Sequence, residues 1–251
     1  MVSRMEKINF VFLHGGGQGS WVWDKTIAAL ATQSGGACNA LALDVPGCGA
    51  KRGHDTSGFT FDDIVDSLVA DIEASAMDDV VLVGHSMAGT LMPRLAERRP
   101  DLFAHLVFAS CSAPAPGRTI VELMGQGMQG ENPDEVGWFV SPAEGSTVER
   151  YEKIFCNDMG PDQSSILLEG MAEDHWPMCS YAECDWRYEH LRNFSVSYVV
   201  FLQDRALPVP WQHRFAERLN SDRVVHIDAG HQGMMTRPQA FAEELRIMAS
   251  I

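Results

Sequence analysis

The stretch VLVGHSMAGTLM, residues 81–92, decides the fold of this chain. An apolar run ends in glycine, and an amphipathic pattern begins a few residues later. This order predicts a buried strand that is followed at once by a helix. Ser86, at the junction, is either a nucleophile held on a tight turn or an ordinary helix N-cap, since serine is a favoured cap in any protein. The stretch alone does not decide between the two.

Short apolar runs alternate with helical patterns on both sides of this stretch. Strands are predicted at 8–13, 40–43, 80–83, 106–109, 196–202 and 224–227. Helices are predicted at 21–31, 61–72, 87–98, 211–219 and 238–248. This alternation predicts an α/β fold with a mostly parallel sheet of about six strands and helices on both faces.

The alternation fails in the middle of the chain, where glycine, proline and acidic residues mix with aromatic residues. We interpret 114–187 as a cap inserted into a core formed by residues 1–113 and 188–251. Three aromatic residues of this cap, Trp138, Phe155 and Trp176, are candidates for lining a substrate pocket. The alternative is that they only hold the cap on the core.

Composition and charge bear on the classes of partner. The net charge of −15 disfavours nucleic acid and anionic membrane surfaces, which need a cationic footprint. No apolar run approaches the length of a membrane span, and we expect no signal peptide in residues 1–10. The six cysteines are scattered without metal-ligand spacing. We therefore expect reduced thiols, a cytoplasmic location, and neither a metal nor a cofactor.

Chemistry-bearing side chains follow three of the predicted strands, at the sheet edge where ligands of open parallel sheets bind. They are Ser86, Asp204 and His231. This chain order is that of hydrolases whose serine lies on a sharp strand-to-helix turn. In this hypothesis His231 accepts the serine proton, and Asp204 orients the imidazole.

Other polar residues near the strand ends offer alternatives. Asp228 lies three residues before His231, and Asp44 follows the second strand. We interpret Asp228 as structural and Asp44 as the brace of a turn, and we keep Asp204 because of the motif order. His85 is expected to point away from the serine and to pack.

An oxyanion that forms at a carbonyl is commonly bound by two backbone N–H groups. The N–H of Met87 lies at a predicted helix N-terminus, where an anion is favoured. Gly16, in the run HGGGQG, is predicted to supply the second donor. Two other residues of this run, His14 and Gly15, are predicted to contact the substrate. The run matches neither G-x-G-x-x-G nor a phosphate loop, so we expect no nucleotide site.

The motifs FLHGGGQGSWVW, LDVPGCG, VLVGHSMAG, FLQDRALP and DAGHQGMM resemble those of the α/β-hydrolase family. They span almost the whole chain outside 114–187. The chain is similar to the plant methylesterase and hydroxynitrile lyase branch, in which a Trp-x-Trp pair follows the first loop, here Trp21 and Trp23. The resemblance implies an α/β-hydrolase fold and a serine hydrolase. Its substrate would be a small apolar or aromatic carboxylic ester.

Three positions depart from the pattern of the relatives. Ala88 replaces the second glycine of G-x-S-x-G. The lyases have a lysine after the catalytic histidine and a threonine in the first loop, where this chain has Gln232 and Gly15, and both departures favour an esterase. A lyase, a C–C bond hydrolase, a cofactor-free oxygenase and a ligand-binding receptor stay open as alternatives, because this fold hosts many chemistries. The sequence carries no signal for the oligomeric state.

Overall fold

A sheet of six parallel strands organises the chain. The computed structural model describes residues 7–141 and 143–249; residues 1–6, part of the segment in which no signal peptide is expected, lie outside this range. The strands are β1 (Ile8–Leu13), β2 (Cys38–Leu43), β3 (Val80–His85), β4 (Phe103–Ala109), β5 (Ser195–Phe201) and β6 (Arg223–Ile227). Their order across the sheet is β2-β1-β3-β4-β5-β6, and all neighbouring pairs are parallel.

The described residues form ten α-helices. They are α1 (Asp24–Gln33), α2 (Phe61–Ala74), α3 (Ala88–Arg98), α4 (Ile120–Met124), α5 (Thr147–Phe155), α6 (Pro161–Glu173), α7 (Cys179–Ala182), α8 (Val209–Arg218), α9 (Gly233–Thr236) and α10 (Pro238–Ala249). The start of α2 is fixed by a capping box between Thr60 and Asp63. None of these helices has the length and apolar character that crossing a membrane requires.

Side chains alternate between two apolar cores along β1 to β5, whereas the side chains of the edge strand β6 join only one core. In β1, Val11 and Leu13 pack with α2, α3 and α8, whereas Phe10 and Phe12 pack with α1, α9 and α10. Helices thus cover both faces, which is why the strands are almost continuously apolar. The predicted α/β class and two-faced sheet are confirmed.

The predicted core elements lie within three residues of the observed bounds, with one change of helix type. The segment predicted as a helix at 21–31 begins with a single 3-10 turn, Ser20–Trp23, and continues as α1. At the end of this turn the ring of Trp23 is fully buried, tilted against Phe12 and stacked on Phe241.

Between β4 and β5 the chain leaves the sheet and forms the helices α4 to α7. A buried carboxylate ties this region to the core. Asp174, which follows α6, accepts hydrogen bonds from Trp21 Nε1 at 3.0 Å, Gly49 N at 2.7 Å and Arg52 Nε at 2.5 Å. The cap boundaries at 114 and 187 stay a prediction.

The close packing of α3 on the strand ends can be tested at Gly89. A Cβ there would lie 2.3 Å from the Ser112 carbonyl oxygen and 2.7 Å from Cys111 Cβ. Helix propensity favours alanine over glycine by about 1 kcal/mol. Because a backbone oxygen cannot yield easily, we nevertheless expect Gly89→Ala to lower the free energy of unfolding by about 1–3 kcal/mol in urea denaturation.

The matched control is Gly53→Ala. Apart from its chain neighbours, no atom of the described residues lies within 4 Å of a Cβ at Gly53. Its free energy of unfolding should stay within about 0.5 kcal/mol of the wild-type value. A Gly89→Ala protein as stable as this control, or more stable, would contradict the packing argument.

Candidate active site

Ser86 lies on the turn between β3 and α3 with a positive φ of 54°. A side-chain-bearing residue rarely adopts this conformation, which costs roughly 1–3 kcal/mol and persists only where the surroundings enforce it. The Ser86 N–H donates to the carbonyl of Ala109 at 3.2 Å, and the N–H groups of Gly89 and Ser112 each donate to the Ser86 carbonyl at 3.1 Å. These bonds hold a partly exposed serine at the carboxyl edge of the sheet.

Small residues surround this turn because there is no room for larger ones. A Cβ at Gly15 would lie 2.9 Å from Ser86 Cβ, and a Cβ at Gly84 would lie 3.0 Å from Ala88 Cβ. Ala88 itself is fully buried. Ala88 replaces the second glycine of G-x-S-x-G. Its methyl group fits because residue 84 is a glycine and has no Cβ.

Hydrogen bonds connect Ser86, His231 and Asp204, which come from three different strand ends. Ser86 Oγ lies 3.1 Å from His231 Nε2, and His231 Nδ1 lies 2.7 Å from Asp204 Oδ2. Because a carboxylate only accepts, Nδ1 carries the ring proton and Nε2 accepts from the serine. The side chain of His231 is 2% exposed and that of Asp204 is 0% exposed. A serine beside such a base can act as a nucleophile.

The carboxylate of Asp204 accepts from four donors. Besides His231, Oδ2 accepts from Ser110 Oγ at 2.6 Å. Oδ1 accepts from the N–H groups of Ala206 and Leu207 at 2.7 and 2.8 Å. The sequence analysis did not identify Ser110 as a donor to this carboxylate, although its position directly after β4 was an available signal.

The two alternative acids make other contacts. Asp228 is exposed and accepts from Gln203 Nε2 at 2.6 Å. Asp44 accepts from the N–H of Ser20 at 2.6 Å and from that of Ala50 at 3.0 Å. Asp44 therefore braces the loops after β1 and β2, in keeping with its interpretation as a turn residue.

His85 lies closer to the site than the sequence suggested. Its ring is fully buried, with its centroid 4.6 Å from that of the His231 ring. Nε2 donates to the His231 carbonyl oxygen at 2.8 Å. Nδ1 has no hydrogen-bond partner among the described residues. Burial lowers the pKa of His85 well below its usual value, and nearby His231 lowers it further. A neutral His85 thus helps to fix the backbone of His231.

The glycine loop after β1 packs against the residue that follows Ser86. A Cβ at Gly16 would lie only 2.6 Å from Met87 Sδ. Within the described part of the chain, no hydrogen bond uses the N–H of Gly16 or that of Met87. The two predicted oxyanion donors thus belong to neighbouring segments, and both N–H groups are free.

The placement of His14 corrects the prediction that it contacts the substrate. Its ring is fully buried, and burial lowers its pKa. Nδ1 donates to the Gly15 carbonyl at 2.8 Å, and Nε2 accepts from the Val45 N–H at 3.1 Å. Since both ring nitrogens are occupied, His14 has no polar atom left for a substrate and instead supports the glycine loop.

The three aromatic residues of the predicted cap have different environments. The ring of Phe155 lies 5.4 Å from that of His231, centroid to centroid. Trp176 is buried and packs edge-on against His14 at 5.7 Å. Trp138 is half-buried in a small cluster with Phe155. Phe155 is therefore the one of the three whose ring contacts His231, whereas Trp176 packs against His14 and belongs to an apolar core cluster.

The cysteines take no part in the hydrogen bonds that connect Ser86, His231 and Asp204. All six cysteines are free thiols, and burial raises the pKa of the Cys48 thiol to about 12. Within residues 7–141 and 143–249, no three histidine, cysteine, aspartate or glutamate side chains converge to hold a metal ion.

Comparisons with known proteins agree with this architecture. Residues 10–244 match the model of the alpha/beta hydrolase family. Polyneuridine aldehyde esterase of Rauvolfia serpentina is 25% identical over 255 residues, which cover 92% of this chain and 91% of that protein. Norfluorocurarine synthase 2 of Strychnos sp is 24% identical over 262 residues, covering 97% of this chain and 96% of that protein.

A solved structure extends the comparison to three dimensions. A methylesterase protein from Arabidopsis superposes with a TM-score of 0.74 at 18% identity, covering 97% of this chain and 99% of that chain. At this identity the likeness shows the fold. The predicted fold and the predicted similarity to the plant methylesterase branch are confirmed.

Ser110 can be tested as a support of the Asp204 carboxylate. Ser110→Ala removes one of its four donors, and hydrogen bonds to charged groups contribute about 1.5–3 kcal/mol. We expect the free energy of unfolding to fall by about that amount in urea denaturation. Ser112→Ala is the matched control, since its hydroxyl is 3.5 Å from the carbonyl oxygen of Ser86. Equal effects of the two changes would argue against this role of Ser110.

The buried histidines predict a loss of stability in acid. His85 stays neutral in the folded protein but titrates normally in the unfolded chain, so the unfolded state binds more protons below about pH 6.5. The free energy of unfolding must therefore fall as the pH drops. His85→Gln keeps a donor and cannot titrate, so between about pH 7.5 and about pH 5.5 it should lose about 1 kcal/mol less than wild type.

The control for this measurement is His54→Gln, at an exposed histidine. Urea denaturation at both pH values should give the wild-type difference for this variant. If His85→Gln also loses as much free energy as wild type, His85 is not held neutral by the fold.

Proposed function

Because this chain belongs to the α/β-hydrolase family, we propose that it is a serine esterase that hydrolyses a small carboxylic ester through an acyl-enzyme on Ser86. The observation that carries the proposal is the chain of hydrogen bonds from Ser86 Oγ through His231 to Asp204. It ends on a buried, fully hydrogen-bonded carboxylate. This arrangement orients the imidazole tautomer that can accept the serine proton.

The reaction proceeds in two halves. Ser86 Oγ attacks the ester carbonyl carbon while His231 Nε2 takes the hydroxyl proton. The tetrahedral intermediate collapses, the bond to the alcohol oxygen breaks, and His231 returns the proton to the leaving alcohol. A water then attacks the acyl-enzyme with His231 again as base, and the acid and free Ser86 are released. Asp204 stabilises the imidazolium in both halves.

The N–H groups of Gly16 and Met87 are the proposed oxyanion donors. Both are free of other hydrogen bonds among the described residues. Met87 precedes the first residue of α3, so the helix dipole also favours a negative charge there. Donors that are already oriented stabilise the transition state without reorganisation.

An apolar or aromatic substrate suits the surroundings of Ser86. Phe155 packs on His231, and the half-buried Met87 covers Gly16. The end of the Met171 side chain lies 3.9 Å from a Cβ position at Gly17. These groups offer apolar contacts to an acyl or alcohol group. A cytoplasmic location and small molecules as the partners, without nucleic acid or membrane, stay predictions.

A lyase or another reaction on the same side chains is the second candidate, because one relative is named a synthase. The structure favours the esterase at one position. The related lyases carry a threonine where this chain has Gly15, and a Cβ at Gly15 would lie 2.9 Å from Ser86 Cβ. The backbone of this chain therefore leaves no space for that threonine.

The decisive test combines Ser86→Ala with a panel of activated esters of varied acyl and alcohol size. We expect kcat to fall by roughly 10⁴-fold or more, because the nucleophile is lost. A fluorophosphonate probe should label wild type once, at Ser86, as judged by the mass of the tryptic peptide. The control is Ser165→Ala, at an exposed serine of α6, which should keep wild-type rates and labelling.

The outcomes separate the candidates. If Ser86→Ala kept near-wild-type turnover, the serine mechanism would be wrong. Labelling at Ser86 without sustained turnover of any ester would indicate a ligand-binding receptor. Cleavage of a cyanohydrin without ester hydrolysis would indicate a lyase.

A further inference from the structure

The loop between α5 and α6, in the region predicted as the cap, touches the segments that carry two of the three proposed catalytic groups. Asp158 Oδ2 accepts from the N–H of Gly230 at 2.8 Å, and Gly230 directly precedes His231. Asn157 Nδ2 donates to the carbonyl of Gln203 at 3.0 Å, and Gln203 directly precedes Asp204. Two consecutive residues of the cap region thus hold the backbone in front of both groups.

The Asp158 carboxylate is buried in this contact. Its side chain is 5% exposed. The same oxygen that accepts from Gly230 also accepts from Thr236 Oγ1 at 2.7 Å, and Arg237 Nη1 lies 3.8 Å away. Thr236, the last residue of α9, and Arg237 follow His231 in the chain, so Asp158 holds the segment 230–237, here called the His231 loop, on both sides of His231. Burial of a carboxylate is costly unless donors compensate, and here all of them come from this loop.

Gly230 shows that the loop is shaped around this carboxylate. Gly230 does not have a positive φ, so its backbone conformation does not require glycine. A Cβ there would lie 2.5 Å from Asp158 Oδ1 and 2.8 Å from Asn157 Oδ1. Neither of these two oxygens has a hydrogen-bond partner among the described residues. A side chain at position 230 would therefore force the Asp158 and Asn157 side chains to shift.

We propose that Asp158 is a positioning residue that fixes the His231 loop at hydrogen-bonding distance from Ser86. The inference rests on the proposed function, in which His231 is the general base. In this arrangement the region between β4 and β5 contributes to catalysis, because the Asp158 carboxylate determines the position of the His231 imidazole. Small displacements of a catalytic group reduce the rate steeply.

The first test measures ester hydrolysis by Asp158→Ala. We expect kcat to fall by roughly 10- to 100-fold, with KM within about twofold of wild type, because the base is misplaced and the substrate contacts are not. Asp158→Asn keeps an oxygen acceptor for Gly230 and Thr236 and should recover most of kcat. The control is Glu152→Ala, at an exposed carboxylate of α5, which should behave as wild type.

The second test is a double-mutant cycle with Gly230→Ala. In wild type the new Cβ collides with the Asp158 carboxylate, so kcat should fall. In the Asp158→Ala background the carboxylate is gone, so Gly230→Ala should reduce kcat by a clearly smaller factor. Contacting residues show such non-additivity, whereas independent sites add.

Three results would overturn the inference. One is an unchanged kcat for Asp158→Ala with a lower melting temperature, which would make Asp158 a purely structural tether. Another is a change confined to KM, which would make it a substrate contact. The third is full additivity in the cycle. Ser86→Ala serves as the reference. If Ser86→Ala is inactive and Asp158→Ala has the wild-type kcat, only this inference is rejected. If Ser86→Ala still turns over ester, the proposed function itself is rejected.

Discussion

The buried carboxylate of Asp204 is the interaction on which the rest of the site depends. An unpaired charge in the interior costs several kcal/mol, and here four donors offset that cost. They come from the loops after β4, β5 and β6, which meet only when the carboxyl edge of the sheet is complete. The assembly of these three loops therefore supplies the donors to the Asp204 carboxylate and orients His231 at the same time.

The parallel sheet makes that event possible. Because every strand runs in the same direction, every strand end faces the same edge, and the two apolar cores hold the strands in register from both faces. The region between β4 and β5 adds two buried carboxylates, Asp158 and Asp174, that bind the core at opposite ends of α6. Polar contacts, not only apolar packing, thus join this region to the sheet.

The sequence alone predicted much of the fold and the main polar side chains of the site. Strands that are buried on both faces are continuous apolar runs, so their positions could be read from the chain. Ser86, Asp204 and His231 followed because strand ends of a parallel sheet converge. The helices of the predicted cap could not be located in the same way, since irregular segments separate them and no alternation of strands and helices continues through this region.

The contacts of these side chains with distant parts of the chain could not be predicted from the sequence. Ser110 on Asp204, and His85 on the carbonyl of His231, depend on side-chain direction, which no spacing rule supplies. His14 was expected beside the substrate because it adjoins the glycine loop, but its ring turns into the core. The geometry of the loops determines which residues these side chains contact, and loop sequences carry no periodic signal.

The parallel topology also has a kinetic consequence. The Ser86–His231 bond joins residues 145 positions apart, and the bond from the loop before α6 to Gly230 spans 72. Chains dominated by such distant contacts fold slowly, because long loops must close before any contact stabilises them. Helices can form much earlier than this edge of the sheet. After dilution from denaturant, ester turnover should therefore recover later than the helical circular dichroism signal. The rate at which turnover recovers would then report the last step of folding.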